Sequence, residues 1–327
     1  MPLHLYRHAF SNLNRNIWIL SLAMFINRSG SMVLLFTTLY MTRDLHFSIA
    51  EAGFVMSFYG MGSVLGSYLG GWLTDRKNHF DIMVSALISS GLILLSLLVI
   101  TTPAGMAAVI FIYALAADSF RPANAAAIAE YSTPENRTRS VGLMRLAVNL
   151  GFAVGPAVGG FVALYLGYRW LFVIDACTGF LAALMLFLYL PRPATIPGRH
   201  KNDVLADSST SAYRDLRYLF FIALVAVYGT IFFQIFASIP QYFKTVSGYD
   251  EDRIGLLMAL NGILVVIIEM PLIAKLEKSK KIFRFIVIGV FCLPAAFALL
   301  YFGQHRLSFA ILYTFVITLS EIFAMPF

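Results

Sequence analysis

Charged residues are scarce in this sequence, and their scarcity excludes a soluble protein. Asp, Glu, Lys and Arg make up 13% of the 327 residues, against about 25% in a typical soluble domain. Hydrophobic residues make up 59%, and the mean hydropathy is +0.78. Because so few polar side chains cannot cover the surface of a soluble fold, we predict an all-α integral membrane protein.

Sequence patterns of enzymes and cofactor sites are also missing. There is no glycine-rich P-loop, no G-x-S-x-G nucleophile motif, and no Cys and His cluster with metal-ligand spacing. We therefore expect no enzymatic activity, no cofactor, no metal site, and no ATP-driven transport by this chain alone. The two cysteines, Cys177 and Cys292, lie within apolar runs, which predicts buried, unpaired thiols.

Long apolar runs fill most of the chain. A helix needs about 20 apolar residues to cross the hydrocarbon core of a bilayer. Ten segments meet this requirement, and the predicted spans one to ten cover 17–41, 50–73, 80–102, 104–130, 139–166, 168–190, 216–243, 251–275, 282–303 and 306–327.

The basic residues give this set of spans an orientation. If the N-terminus lies in the cytoplasm, sixteen of the 24 Lys and Arg residues fall on the cytoplasmic side and five on the other side. This asymmetry follows the positive-inside rule and accounts for the net charge of +7 without nucleic acid. We predict a multi-pass protein of the bacterial inner membrane with a cytoplasmic N-terminus.

One connection is much longer than the others and divides the chain. We predict an amino-terminal six-helix bundle over 1–190, a cytoplasmic linker over 191–215, and a carboxyl-terminal bundle of four helices over 216–327. The sequence ends within an apolar run, so we expect the second bundle to be incomplete and the chain to be unstable or inactive as it stands.

The loop between spans two and three carries the first family motif. Its sequence, GGWLTDRKNHF, places Gly71, Asp75 and Arg76 as in the loop signature G-x-x-x-D-R/K-x-G-R-K/R of the major facilitator superfamily, which the segment resembles. Asn78 replaces the glycine of the signature, and His79 and Phe80 replace two basic residues. We expect Asn78 to adopt the positive φ that glycine usually supplies.

Span five carries the second motif, NLGFAVGPAVGG, from Asn149 to Gly160. It resembles the G-x-x-x-G-P-x-x-G-G signature of the antiporter branch of the same superfamily. Gly151, Gly155 and Gly159 recur every four residues and therefore share one helix face, where another helix can approach closely. Pro156 removes one backbone hydrogen bond, and generic small-residue packing is the alternative interpretation of the segment, including its last residue, Gly160.

Together with Asn27, Arg28 and Gly30 of span one and Arg121 of span four, these motifs most resemble the drug:proton antiporter group. The resemblance implies a two-bundle transporter fold, with about ten of an expected twelve helices present. It also implies alternating access around a central site, with small molecules and protons as partners, a lipid bilayer as the surroundings, and no obligate protein partner.

Ionisable residues inside apolar spans are costly and usually mark a pathway or a buried pair. The candidates for proton coupling or the central cavity are Arg28, Asp118, Arg121, Arg145, Glu269 and Glu321. Asp118 and Arg121 are i,i+3 neighbours that can pair on one helix face, and a purely structural pair is the alternative. The proton carrier is predicted to be Glu269 or Glu321, or alternatively Asp118.

The sequence thus predicts proton-coupled efflux of small, drug-like compounds. Uptake of a nutrient such as a sugar, peptide or organic anion by proton symport is the alternative, and a channel or a membrane enzyme is a remote one. The span-five signature favours efflux. The loop at Gly71, Asp75 and Arg76 is expected to hold a cytoplasmic gate, and the glycine face of span five is expected to move.

Overall fold

A computed structural model of the protein describes residues 13–192, 215–276, 282–303 and 306–324, and within these ranges the chain is helical with short turns and no β-strand. The helices are Arg15–Gly30 and Val33–Arg43 (span one), Ile49–Thr74 (two), His79–Ser96 (three), Pro103–Asp118 and Phe120–Tyr131 (four), Arg137–Tyr165 (five), Arg169–Tyr189 (six), Leu216–Phe232 and Gln234–Thr245 (seven), Glu251–Leu276 (eight), Ile282–Phe302 (nine) and Leu307–Ala324 (ten).

The helices confirm the all-α membrane architecture. Among the described residues, 9 helical segments are long and apolar enough to cross a membrane, and span eight has 26 residues. Span boundaries lie within a few residues of the predicted ones for most spans; span two, for example, runs from Ile49 to Thr74 rather than over 50–73. The predicted linker, 191–215, lies almost wholly outside the described residues.

Capping side chains explain where several helices begin. Ser48 and Glu51 form a reciprocal capping box at the start of span two. The side chain of Asn78 accepts a hydrogen bond of 2.9 Å from the backbone N–H of Phe80 and so caps span three. Asn78 has φ −64°, so the predicted positive φ was wrong: the residue serves as a helix N-cap.

Spans one, four and seven were each predicted as one helix, and each is broken near its middle. Span four breaks at Ser119, three residues before Pro122. Proline lacks a backbone N–H and its ring clashes with the carbonyl of the residue four positions earlier, here Asp118. Span one breaks at Ser31 and Met32, directly after Gly30, where the Ser31 hydroxyl donates to the carbonyl of Asn27 at 3.0 Å.

Among the described residues, the two halves of the chain share a hydrophobic core at one end only. We call the end of the helices next to residues 192 and 215 the linker face, and the opposite end the far face. The core at the far face contains Phe36 and Tyr40 from the first half together with Phe243 and Ile254 from the second. The core toward the linker face consists of residues from the first half alone, such as Phe80.

Polar contacts also join the halves at the far face. The Tyr168 hydroxyl, between spans five and six, donates to the carboxylate of Glu251 at the start of span eight. Nζ of Lys244 lies 2.9 Å from the same carboxylate and 3.1 Å from that of Asp250. Burial raises the pKa of the Tyr168 phenol further above its ordinary, already alkaline value, so the hydroxyl stays protonated and donates to the carboxylate. The far face is therefore closed by a core and a hydrogen-bonded network.

The cysteines depart from one prediction. Cys177 is exposed on the helix surface and Cys292 is partly buried, and both are free thiols. The prediction that both thiols are buried was wrong, because an apolar run in a membrane helix has a face toward lipid as well as one toward protein.

Candidate functional site

Six ionisable side chains from four spans meet inside the first half of the chain. This amino-half cluster, as we call it, consists of Arg28, Tyr59, Tyr113, Asp118, Arg121 and Asp175. Arg28 interacts electrostatically with both Asp118 and Arg121, and Asp175 interacts with Arg28. Three of the predicted site residues, Arg28, Asp118 and Arg121, are therefore brought together.

Asp118 and Arg121 form the predicted ion pair. Nε of Arg121 lies 2.7 Å from Oδ1 of Asp118, and the two side chains are 58% and 5% exposed. The helix break at Ser119 lies between them, so Asp118 ends one helix and Arg121 lies in the first turn of the next. The ion pair involves Nε of the Arg121 guanidinium, and more than half of the Arg121 side chain remains exposed.

Several polar atoms of the amino-half cluster have no hydrogen-bond partner in the described part of the chain. They are Oδ2 of Asp118, Oδ2 of Asp175 and Nε of Arg28, and all three are buried. The Arg28 guanidinium lies 5.6 Å from the ring centroid of Phe152 in span five, a distance typical of a cation–π contact. A buried polar atom without a protein partner is uncommon in folded proteins, and a functional role or a bound water or ion is among its explanations.

Small residues bring the helices of the amino-half cluster close together. Gly62, Gly66 and Gly70 of span two contact the backbone of span four, where a side chain at any of these positions would overlap. This approach places the Tyr59 ring 6.5 Å from the Tyr113 ring, between centroids, and within electrostatic range of Asp118. The repeat of glycine every four residues was visible in the sequence and is the signal that sequence reasoning missed.

Glu321 lies in a second polar site, built by the second half of the chain. Its Oε2 accepts a hydrogen bond of 3.2 Å from Nδ2 of Asn261 in span eight, and the same amide nitrogen lies 2.9 Å from the Thr318 hydroxyl. We call Asn261, Thr318 and Glu321 the carboxyl-half site. Arg145 of span five, in the other half, interacts electrostatically with Glu321. The structure therefore brings Glu321 and Arg145 near each other, apart from the amino-half cluster.

Glu269, the other predicted carrier, lies in the helix of span eight, but its side chain is outside the described part of the structure. Asn261 was not among the predicted site residues, since a single amide in an apolar run carries no motif. Tyr59, Tyr113 and Asp175 were also missed as site residues, because their proximity depends on how four helices pack.

The glycines of span five lie on the predicted shared face, and that face packs within the first half of the chain. Gly151, Gly155 and Gly159 all contact span one, within the first half. That the packing of this glycine face changes during transport stays a prediction. Asn149 lies two residues before Gly151, toward the linker face, and is partly buried.

A different face of span five meets the second half. Gly160 contacts the backbone of Glu251 and Asp252, and the carbonyl of Pro156 contacts Gly255 of span eight. Farther along, Gly262 of span eight contacts the backbone of Ala153. Spans five and eight thus approach each other with little side-chain volume between them.

The loop residues lie at the linker face. Asp75 is exposed at the end of span two and, among the described residues, its side chain has no hydrogen-bond partner. The Arg76 guanidinium donates to the carbonyl of Trp72 at 3.1 Å and lies 4.0 Å from the centroid of the Trp72 ring. Gly71 contacts Pro122 of span four.

Comparison with known proteins finds relatives that are named for drug resistance or for transport. The Multidrug resistance protein 2 of Bacillus subtilis (strain 168) is 23% identical over 71% of this chain and 59% of its own length. The cis,cis-muconate transport protein of Acinetobacter baylyi is 25% identical over 53% of this chain and 42% of its own length. The chain thus spans about three fifths or less of the length of these two relatives.

A solved structure and a family model extend the likeness to nearly the whole chain. The crystal structure of peptide transporter POT in complex with sulfate matches 97% of this chain and 82% of its own, with a TM-score of 0.75 at 16% identity, which shows a shared fold. The family model described as Major Facilitator Superfamily matches residues 18–327. The chain belongs to the major facilitator superfamily of membrane transporters.

Proposed function

We propose that this chain takes part in proton-coupled efflux of small, drug-like compounds, with Glu321 as the proton-binding group. The observation that carries the proposal is the position of Glu321 in an apolar helix, between an amide of its own half and an arginine of the other half. The name of the Bacillus relative supports the substrate class, and membrane helices of the chain provide the path.

The link between proton and movement follows from the two partners of Glu321. An ionised Glu321 is attracted to Arg145 across the boundary between the halves, whereas a protonated Glu321 retains only the uncharged contacts to Asn261. Proton binding therefore weakens attraction between the halves, and proton release restores it. Because coupling requires a differential interaction between two states, this pair gives the proton a means of shifting the equilibrium.

The closed far face defines the starting state of the proposed cycle. Because the halves share the core at Phe36, Tyr40, Phe243 and Ile254, the proposed starting state is open toward the linker face. Substrate enters there from the cytoplasm if the N-terminus is cytoplasmic, as the distribution of basic residues predicts. The two bundles, 1–190 and 216–327, then rock about the contact between spans five and eight.

The experiment measures proton movement in inverted membrane vesicles made from cells that express the chain. A drug panel is added, and the release of protons is followed with a pH-sensitive dye for the wild type, Glu321→Gln and Glu130→Gln. Glu130 is an exposed carboxyl near the linker-face end of span four and serves as the matched control. We expect drug-dependent proton release in the wild type and in Glu130→Gln, and none in Glu321→Gln.

Unchanged, gradient-dependent transport in Glu321→Gln contradicts the assignment of Glu321. To separate a failed carrier from an inactive chain, drug binding to the purified protein is measured in weakly buffered detergent solution. If binding releases protons from the wild type and not from Glu321→Gln, the assignment holds even where the 327-residue chain does not complete a transport cycle.

Uptake of an organic anion by proton symport is the second candidate. It is favoured by the exposed guanidinium of Arg121, which presents donors to a carboxylate, and by the name of the Acinetobacter relative. Right-side-out vesicles with an inward proton gradient distinguish the two functions. Accumulation of a labelled dicarboxylate, lost in Arg121→Gln, supports uptake; gradient-driven extrusion of drugs supports efflux.

A further inference from the structure

A pocket of about 440 Å³ opens at the far face of the first half, away from both polar sites. It lies where span one ends, span three ends and span six begins, and its lining includes Tyr40, Arg43, Asp44, His46 and Arg169. Sites that bind small molecules commonly measure about 300–1,000 Å³. Neither the motifs nor the proposed transport cycle uses this pocket.

Positive charge dominates the lining. Arg43 and Arg169 contribute two guanidinium groups and His46 an imidazole, whereas Asp44 is the single acid in the lining. Within the described residues, no ion pair joins Asp44 to either arginine. Partial removal from water raises the pKa of the Asp44 carboxyl, against the smaller opposing effects of His46 and Arg169.

The two arginines retain free donors. Nη2 of Arg169 donates to the carbonyl of Leu98 at 2.6 Å, which fixes the guanidinium at the edge of the pocket. Within the described ranges, the other N–H groups of Arg169 have no hydrogen-bond partner. Arg43 has no hydrogen bond or ion pair in the part of the chain that the structure describes. Two guanidinium groups with free, planar sets of donors match the oxygens of a phosphate group.

The turn after span one holds these groups in place. His46 has φ 56°, an uncommon conformation for a residue other than glycine. The backbone N–H of Phe47 donates to the carbonyl of Met41 at 2.9 Å, and that of Asp44 donates to the carbonyl of Tyr40 at 2.9 Å. Such a conformation persists when its surroundings fix it, so the pocket edge at residues 43–46 is a defined structure.

We propose that this pocket binds a phosphate group through Arg43 and Arg169. The group can belong to the headgroup of an anionic phospholipid in the adjacent leaflet or to a soluble phosphate compound, since the same donors recognise both. Tyr40 lines the pocket and also packs against Tyr168, with ring centroids 6.4 Å apart. Tyr40 thus lies between the proposed phosphate site and Tyr168, whose hydroxyl belongs to the network that closes the far face.

Two measurements on the purified chain separate the two sources. Titration calorimetry with inorganic phosphate, at constant ionic strength set with chloride, detects a soluble ligand. Native mass spectrometry after extraction from nanodiscs of phosphatidylglycerol and phosphatidylcholine detects retained anionic lipid. Both are done for the wild type, for Arg43→Gln/Arg169→Gln, and for Arg306→Gln, a control that removes an exposed arginine of the far face outside the pocket.

We expect the double variant to bind the phosphate group at least about tenfold more weakly, as for the loss of charge-assisted hydrogen bonds, and Arg306→Gln to bind as the wild type does. Binding of inorganic phosphate supports a soluble ligand; selective retention of phosphatidylglycerol without phosphate binding supports a lipid. Neither signal in the wild type, or equal signals in the double variant, overturns the proposal. If the double variant does not fold, Arg43→Gln alone decides, because its side chain makes no polar contact among the described residues.

Discussion

The two halves of the chain handle buried charge in different ways. The first half places two arginines and two aspartic acid residues in one cluster, where the Asp118 carboxylate pairs with Arg121 and also attracts Arg28. The second half surrounds its one described membrane carboxyl, Glu321, with an amide and a hydroxyl, and its charged neighbour, Arg145, belongs to the first half. Separation of the halves therefore leaves the amino-half cluster intact and changes the surroundings of Glu321.

This contrast separates two roles. Charges that compensate one another within a bundle move with it as a unit, so they are suited to holding helices and shaping a cavity. A carboxyl whose partner lies across a moving boundary senses the movement. Substitutions at four places test this contrast: the boundary between the halves, the amino-half cluster, the far-face network and the loop at the linker face.

The largest effect is expected at the backbone contact between spans five and eight. In Gly255→Val, the new side chain meets the carbonyl of Pro156, a group that cannot move aside without bending span five. We expect destabilisation of about 3 kcal/mol, at the upper end for overpacking. Thermal unfolding in detergent, followed by size-exclusion chromatography, measures it.

Gly229→Val is the matched control, because an added side chain there has no atom within 4 Å. A Gly255→Val protein as stable as this control contradicts the packing of span eight on span five.

The next effect concerns the ion pair of the amino-half cluster. Arg121→Gln leaves the buried Asp118 carboxylate without its charged partner, whereas Asp118→Asn/Arg121→Gln removes both charges. We expect the single variant to lose about 2 kcal/mol of stability, since a buried carboxylate loses its direct ion-pair partner and keeps only the attraction of Arg28, and the double variant to recover at least half of that loss. Melting temperatures of the two single variants and the double variant complete the cycle, and strict additivity contradicts the coupling.

The sequence alone predicted this pair and not its surroundings. An i,i+3 spacing fixes distance within one helix, so Asp118 and Arg121 could be placed together from their numbers. Tyr59 and Asp175 reach the same cluster through the packing of spans two and six, which no local pattern specifies. The ends of the spans follow from hydropathy, but the breaks in spans one and seven carry no proline at the break. Only span four offered a visible cause, Pro122.

A smaller effect is expected at the far-face network. Tyr168→Phe removes the hydroxyl that joins the first half to Glu251, and a lost hydrogen bond to a charged group costs about 1.5 kcal/mol. The equilibrium then shifts about tenfold toward states open at the far face. Spin labels at Asp44 and Asp250, in a background with both cysteines replaced by serine, report the distance between the halves by electron resonance.

Tyr165→Phe is the control for this measurement, because Tyr165 is 73% exposed and lies at the end of span five, three residues before Tyr168. A distance distribution in Tyr168→Phe that matches the control assigns closure of the far face to the hydrophobic core rather than to the network.

The smallest effect is expected at the loop motif. There, agreement with the family signature and the contacts in the structure predict different residues to be important for stability. Asp75 matches the family signature, yet it is exposed and has no hydrogen-bond partner among the described residues, so Asp75→Asn is expected to change stability by less than about 0.5 kcal/mol. Asn78 departs from the signature, yet it caps span three, so Asn78→Ala is expected to cost about 1 kcal/mol. The variant expected to lose more stability, Asn78→Ala, is thus at the position that departs from the signature. Melting temperatures of the two variants measure whether the helix cap at Asn78 or the signature residue Asp75 stabilises the fold. If Asp75→Asn is the more destabilising variant, Asp75 makes a stabilising contact outside the described residues. The loop then contacts helices other than spans two and three.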